Sequence, residues 1–186
     1  PSGNHSMTYD AAGNLASETV ALDSQVFTAR YAYNGNDQLS SITYPHSARV
    51  VSYSPDVLGR PTTVSGYVNN VSYWPSGMVR QITYANGTQS SYEQNARLWP
   101  ASFSTAKTGV ATYLNSAYGY DGNGNLLSVS DSVDGAFNRT LGYDAINRLT
   151  SVAGFWGAGS IAYDGGGNLL RQTLGGATLD YAYHAQ

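Results

Sequence analysis

The sequence contains no cysteine. Disulfides, a thiolate nucleophile and Cys-ligated zinc are therefore excluded, and the redox compartment stays open. Lysine occurs once, at Lys107; charged residues make up 11% of the chain, with a formal net charge of -3. So few cations leave no electrostatic footprint for nucleic acid and no basic face for an anionic membrane. No apolar run approaches the roughly 20 residues of a membrane-spanning helix. No window of about a dozen residues carries the 3.6-residue apolar period of an amphipathic helix. The opening Pro1-Ser2-Gly3 reads as a cut from a longer chain, so the absence of a leader pattern there excludes nothing.

Tyrosine and glycine are what the chain has in quantity, 16 and 21 residues respectively. Tyr favours strands and Gly favours turns, so the composition predicts an all-β fold. The chain also repeats itself. "MTYDAAGNLA" (7–16), "YGYDGNGNLL" (118–127), "LGYDAINRLT" (141–150) and "IAYDGGGNLL" (161–170) are close copies, with looser ones between them. Aligning on one tyrosine per copy gives anchors at Tyr9, Tyr33, Tyr53, Tyr73, Tyr92, Tyr120, Tyr143 and Tyr163, with a truncated ninth at Tyr183. Most intervals lie near 20 residues, the range of repeat architectures.

Each copy has the same grammar. An apolar or aromatic residue sits two places before the anchor, as at Met7, Tyr31, Val51, Val71 and Leu141, which is the period-two pattern of a half-buried strand. Asp10, Asp121, Asp144 and Asp164 follow the anchor directly, where a short side chain bonds backbone N–H groups two residues on. Gly13, Gly77, Gly124 and Gly167 come four residues after the anchor, at the place a hairpin needs positive φ; Asp37 and Asn147 fill that slot in two copies. Leu15, Leu39, Val79, Leu98, Leu126, Leu149 and Leu169 then restart the apolar pattern. Each copy is thus read as a β-hairpin. A lone hairpin is marginal in water, so the prediction is one array over 1–186 of about eight hairpins stacked into a long, curved antiparallel sheet. Sixteen strands at roughly 4.8 Å span about 77 Å and leave two open edges, which invites continuation in a parent chain or self-association. Three irregularities are expected: an excursion at about 104–116, and unusual turns in "YSPDVLGRP" (53–61) and "YEQNARLWP" (92–100).

The "Y-x-Y-D-x-x-G-N-L" grammar resembles the Rhs/YD-repeat family, found in bacterial Rhs polymorphic toxins, insecticidal toxin complexes, wall-associated proteins and teneurins. The resemblance runs from about Ser6 to Tyr183. It implies a β-strip that spirals into a hollow shell, a secreted or cell-surface bacterial setting and, in toxin members, an enclosed effector domain as partner. The family's aspartate-dependent self-cleavage region has no counterpart here.

"DGNGN" (121–125) resembles the start of a calcium loop, but sister copies lose Asn123 and no bidentate Glu follows. His5, His46 and His184 lack metal-ligand spacing. Asp131, Asp134 and Glu93 offer a conceivable carboxylate pair, yet acids in this chain are mostly turn residues. The expectation is a non-catalytic structural segment without cofactor or metal. The alternative is a surface module binding carbohydrate or protein through Trp74, Trp99 and Trp156, which break the repeat pattern at or beside turns.

Overall fold

The structure, a computed structural model, describes residues 3–183. Nearly all of them lie in strands or tight turns, and the one helical segment is a single 3-10 turn at Gly135–Phe137. None of the described helices is long and apolar enough to cross a membrane. The chain divides into two units, Pro1–Gln89 and Ser90–Gln186. The first contains β1 (Asn4–Tyr9), β2 (Leu15–Leu22), β3 (Gln25–Tyr33), β4 (Leu39–Thr43), β5 (Val50–Pro55), β6 (Pro61–Val64), β7 (Val68–Tyr73) and β8 (Val79–Tyr84). The division falls within β9 (Thr88–Gln94). The second unit continues with β10 (Pro100–Lys107), β11 (Ala111–Tyr120), β12 (Leu126–Asp131), β13 (Arg139–Tyr143), β14 (Leu149–Gly154), β15 (Gly157–Tyr163), β16 (Leu169–Leu174) and β17 (Ala177–Asp180). In each unit every strand pairs antiparallel with the next in sequence, as β2 does with β3 and β11 with β12. The fold is all-β, an array of antiparallel hairpins.

Register sorts the side chains onto two faces, because alternate residues of a strand point opposite ways. In the first unit Val20 opposes Phe27, Tyr31 opposes Ile42 and Ile42 opposes Val51, making an apolar and aromatic face. Thr19 opposes Thr28, and Ser41 opposes both Ala32 and Ser52, making a face of small hydroxyl residues. The second unit repeats the division, with Tyr118–Val129 and Leu141–Val152 on one face and Gly142–Ser151–Ser160 on the other. Within each unit the described strands touch chiefly their sequence neighbours. Among the described residues only Val51 and Val129, at 4% and 9% exposure, are buried apolar side chains.

Eight turns share one geometry. The leading residue is Asp10, Asn34, Asp56, Trp74, Asn95, Asp121, Asp144 or Asp164. Its carbonyl accepts from the amide three residues on, and its own amide donates to the carbonyl four residues on. The fourth position has positive φ and is Gly13, Asp37, Gly59, Gly77, Leu98, Gly124, Asn147 or Gly167. The register slips by one beside the turn, as between Thr8 and Tyr9, so each is a tight turn closed by a glycine-type bulge.

Three expectations are corrected. The turns of "YSPDVLGRP" and "YEQNARLWP" are regular: they begin at Asp56 and Asn95, so Tyr53 and Tyr92 lie two residues upstream of the anchor position. A two-residue shift keeps a side chain on its face, which is why the aromatic pattern survives it. Leu98 does not restart a strand; it occupies the left-handed slot, at φ 63°. The stretch 104–116 is no excursion. It forms the ends of β10 and β11 around a turn at Gly109, where the Val110 amide donates to the Lys107 carbonyl at 3.0 Å. Its β-branched and aromatic residues, Thr105, Thr112 and Tyr113, lengthen the hairpin rather than leave it.

Candidate functional site at the turns and aromatic contacts

The turn aspartates are held by their own backbone. Asp164 Oδ1 accepts from the amides of Gly166 and Asn168, both at 2.8 Å, and Oδ2 accepts from Asn168 Nδ2 at 2.9 Å. Asp10, Asp121 and Asp144 repeat the arrangement, the last with Arg148 Nε as the side-chain donor at 2.7 Å. In all four the hydrogen bonds of the residue four places on, first among several causes, hold the carboxyl below its usual range. The "DGNGN" carboxylate is thus already occupied by amides. His184 lies outside the described residues.

The same turns reach across to the following hairpin. Anchor tyrosines donate their hydroxyls to the carbonyl that opens the preceding strand: Tyr33 to Leu15, Tyr73 to Pro61, Tyr143 to Leu126, Tyr163 to Leu149 and Tyr183 to Leu169, at 2.7–3.1 Å. The residue closing the turn also contacts the following repeat. The guanidinium of Arg60 lies 4.3 Å above the Tyr73 ring and that of Arg148 lies 4.5 Å above Tyr163, while Trp99 packs at 5.3 Å from Tyr120. Asn14 donates to Asp37, and Asn125 to Asn147, from the same position. Alternation identifies these side chains, but their partners lie 12 to 23 residues away and only the pairing register brings them together.

The three tryptophans do not converge. Trp74 leads a turn in the first unit with Arg80 4.6 Å over its ring. Trp99 is half-buried between Arg97, at 5.1 Å, and Gly124, where a Cβ would come within 3.0 Å of the indole. Trp156 lies over Gly154, whose Cβ would be 2.8 Å from the ring, with Arg139 at 5.8 Å. Of the carboxylates, Asp131 accepts from Ser116 Oγ at 2.6 Å and from the amides of Asn115, Val133 and Asp134. The Ser116 hydroxyl is the largest cause of a pKa lowered to about 2. Asp134 caps the 3-10 turn by accepting from the Ala136 amide. Both acids serve the loop 131–138.

A family model described as RHS Repeat matches residues 28–66 and 120–154. Those two stretches are similar to Rhs repeats. Both matched stretches contain the tight turn and the anchor tyrosine described above. Solved structures similar to this chain include the Tc holotoxin pore of Photorhabdus luminescens, at TM-score 0.75 and 15% identity over 93% of this chain and 11% of that one. A TcdB2-TccC3-TEV crystal structure is similar at TM-score 0.77 and 14% identity, over 93% of this chain and 11% of that one. A TcdB2-TccC3 crystal structure is similar at TM-score 0.76 and 15% identity, over 93% and 12%. The chain therefore spans about a ninth of the length of the structures it matches. At these identities the likeness is one of fold. None of the curated proteins matches the sequence.

Proposed function

We propose that this Rhs-repeat segment is non-catalytic wall material: part of one repeat array in a longer bacterial protein, secreted or at the cell surface, whose shell encloses or presents an effector domain. The observation that carries the reading is the absence of a core. Among the described residues only Val51 and Val129 are buried apolar side chains, and within each unit strands contact chiefly their sequence neighbours, which leaves sheet faces for other material, as a wall must. Side-chain chemistry is spent on the repeat itself, with aspartates closing turns and tyrosines joining hairpins. The anchor slots, the turn residues and the single-array organisation belong to this proposal. Adhesion through Trp74, Trp99 and Trp156 is the weaker reading, because each indole is engaged by an arginine, Trp99 lies against the turn glycine Gly124 and Trp156 against the strand glycine Gly154.

Limited proteolysis of the full-length protein tests the shell. The expected result is a polypeptide that survives until the repeats are cut and is degraded at once when released. Simultaneous loss of repeats and any further domain would overturn the enclosing role. Saturable binding on a glycan array, abolished by Trp99→Ala, would favour adhesion instead.

A further inference from the structure

We infer that the first unit holds a binding site for a compact organic carboxylate, formed by Arg49 and three tyrosines and independent of the wall function. The site is a depression of about 380 Å³ on the aromatic face, lined by Tyr44, Ser47, Arg49, Val51, Tyr53, Val64 and Tyr67. Its apolar part is Val51, the most buried apolar side chain among the described residues, together with Val64. Tyr44, Tyr53, Tyr67, Ser47 and Arg49 make up the polar part, and no acidic residue lines it. An apolar floor with a few convergent donors is the composition of a small-molecule site.

Arg49 is set for this role by its loop. The segment joining β4 to β5 carries positive φ at His46 and Ala48, 63° and 48°. The Tyr44 amide donates to the Arg49 carbonyl at 2.9 Å, and the Arg49 amide donates to Ser47 Oγ at 3.3 Å. His46 packs edge-on against Phe27 at 4.9 Å, which braces the loop from outside the depression. The Arg49 guanidinium lies 4.6 Å above the Tyr67 ring, and a Cβ at Gly66 would come within 3.3 Å of its Nη2. Glycine at 66 therefore gives the guanidinium its passage. The ion pairs of Arg60, Arg148 and Arg171 use carboxylates of the chain; among the described residues Arg49 has no such partner. Stacking orients a guanidinium while leaving its N–H edge available, and that edge matches a carboxylate. Burial, then the neighbouring Tyr44 phenol, which also shares a hydrogen bond with it, raises the Tyr53 hydroxyl above its usual range. A carboxylate borne on an aromatic or branched apolar group satisfies both the floor and the donors.

The test is a titration of the chain with phenylacetate, followed by amide chemical shifts, beside the neutral isostere phenylacetamide. The expected result is saturable shifts confined to the amides of residues 44–53 and 64–67. The amide should bind about tenfold more weakly or worse, and Arg49→Met should cost the acid a similar factor. N-acetylphenylalanine set against phenylacetate separates a chain terminus from a free acid, and preference for either supports the carboxylate assignment. Should Arg49→Met fail to fold, added salt keeps the test open, since it must weaken the acid and spare the amide. Equal binding of acid and amide, salt-insensitive binding of the acid, or no saturable shift would overturn the proposal.

Discussion

Tyr143 shows what a single residue contributes to this sheet. Its ring lies half-buried on the aromatic face and its hydroxyl donates to the Leu126 carbonyl at 3.1 Å. Tyr143→Phe removes one hydrogen bond and should cost about 0.5–1.5 kcal/mol. Tyr143→Ala removes the ring contacts as well and should cost about 2–3 kcal/mol, below the fully buried case because the site is partly wet. Denaturant unfolding of the two variants measures both, and equal losses would contradict a role for the ring. Asp131 gives a pH dependence. Its folded pKa, lowered to about 2, lies below its ordinary value of 3.8. The unfolded chain therefore binds the proton first, and Asp131 stabilises the fold fully only above about pH 4. That stabilisation declines as pH falls towards 2. Asp131→Asn should lower the melting temperature at neutral pH and flatten its fall across that window; an unchanged acid slope would place the acid sensitivity elsewhere.

The turn is the element that the chain repeats, and its left-handed slot discriminates between residues. Leu98 holds φ 63° there with its side chain 58% exposed, so it bears backbone strain with little packing in return. Leu98→Gly should stabilise the protein by up to about 1 kcal/mol, read as a rise in melting temperature. Gly167 and Gly124 both have positive φ, 88° and 96°, but their surroundings differ. A Cβ at Gly167 meets only Arg148 Nη1, at 3.9 Å, whereas one at Gly124 meets the Trp99 ring at 3.0 Å. Gly167→Ala should cost about 1 kcal/mol from conformation alone, and Gly124→Ala distinctly more. Matching melting shifts would show that Trp99 does not rest on that turn.

At the scale of the whole molecule, strands contact only their neighbours within each unit, so stability is local and coupling should decay along the array. Arg148 lies over the Tyr163 ring, and their variants should interact: Arg148→Ala with Tyr163→Leu should depart from additivity by about 0.5 kcal/mol or more. Tyr143→Phe with Tyr183→Phe, whose hydroxyls serve separate hairpins through Leu126 and Leu169, should add within about 0.5 kcal/mol. Double-mutant cycles in denaturant measure both. Strong coupling of the distant pair would indicate a cooperative core instead.

The sequence by itself determined the fold class, the hairpin period and most turn residues. These depend on local physics: alternation assigns a face, and only Gly, Asn or Asp sits comfortably at positive φ beside an aspartate that caps amides. The third and fifth turns lie two residues further from their tyrosines than the others do, and a two-residue slip leaves the aromatic pattern intact, so alternation alone does not place them. The polar stretch 104–116 looks like loop until its partner strand is known. Tertiary structure alone decided which carbonyl each tyrosine meets, that Trp99 rests on Gly124, that Asp131 is tied to Ser116, and that Arg49 joins three tyrosines in one depression. Most of these contacts bridge residues well over a dozen apart, and strand register, which is set only when hairpins pair, determines which side chains meet.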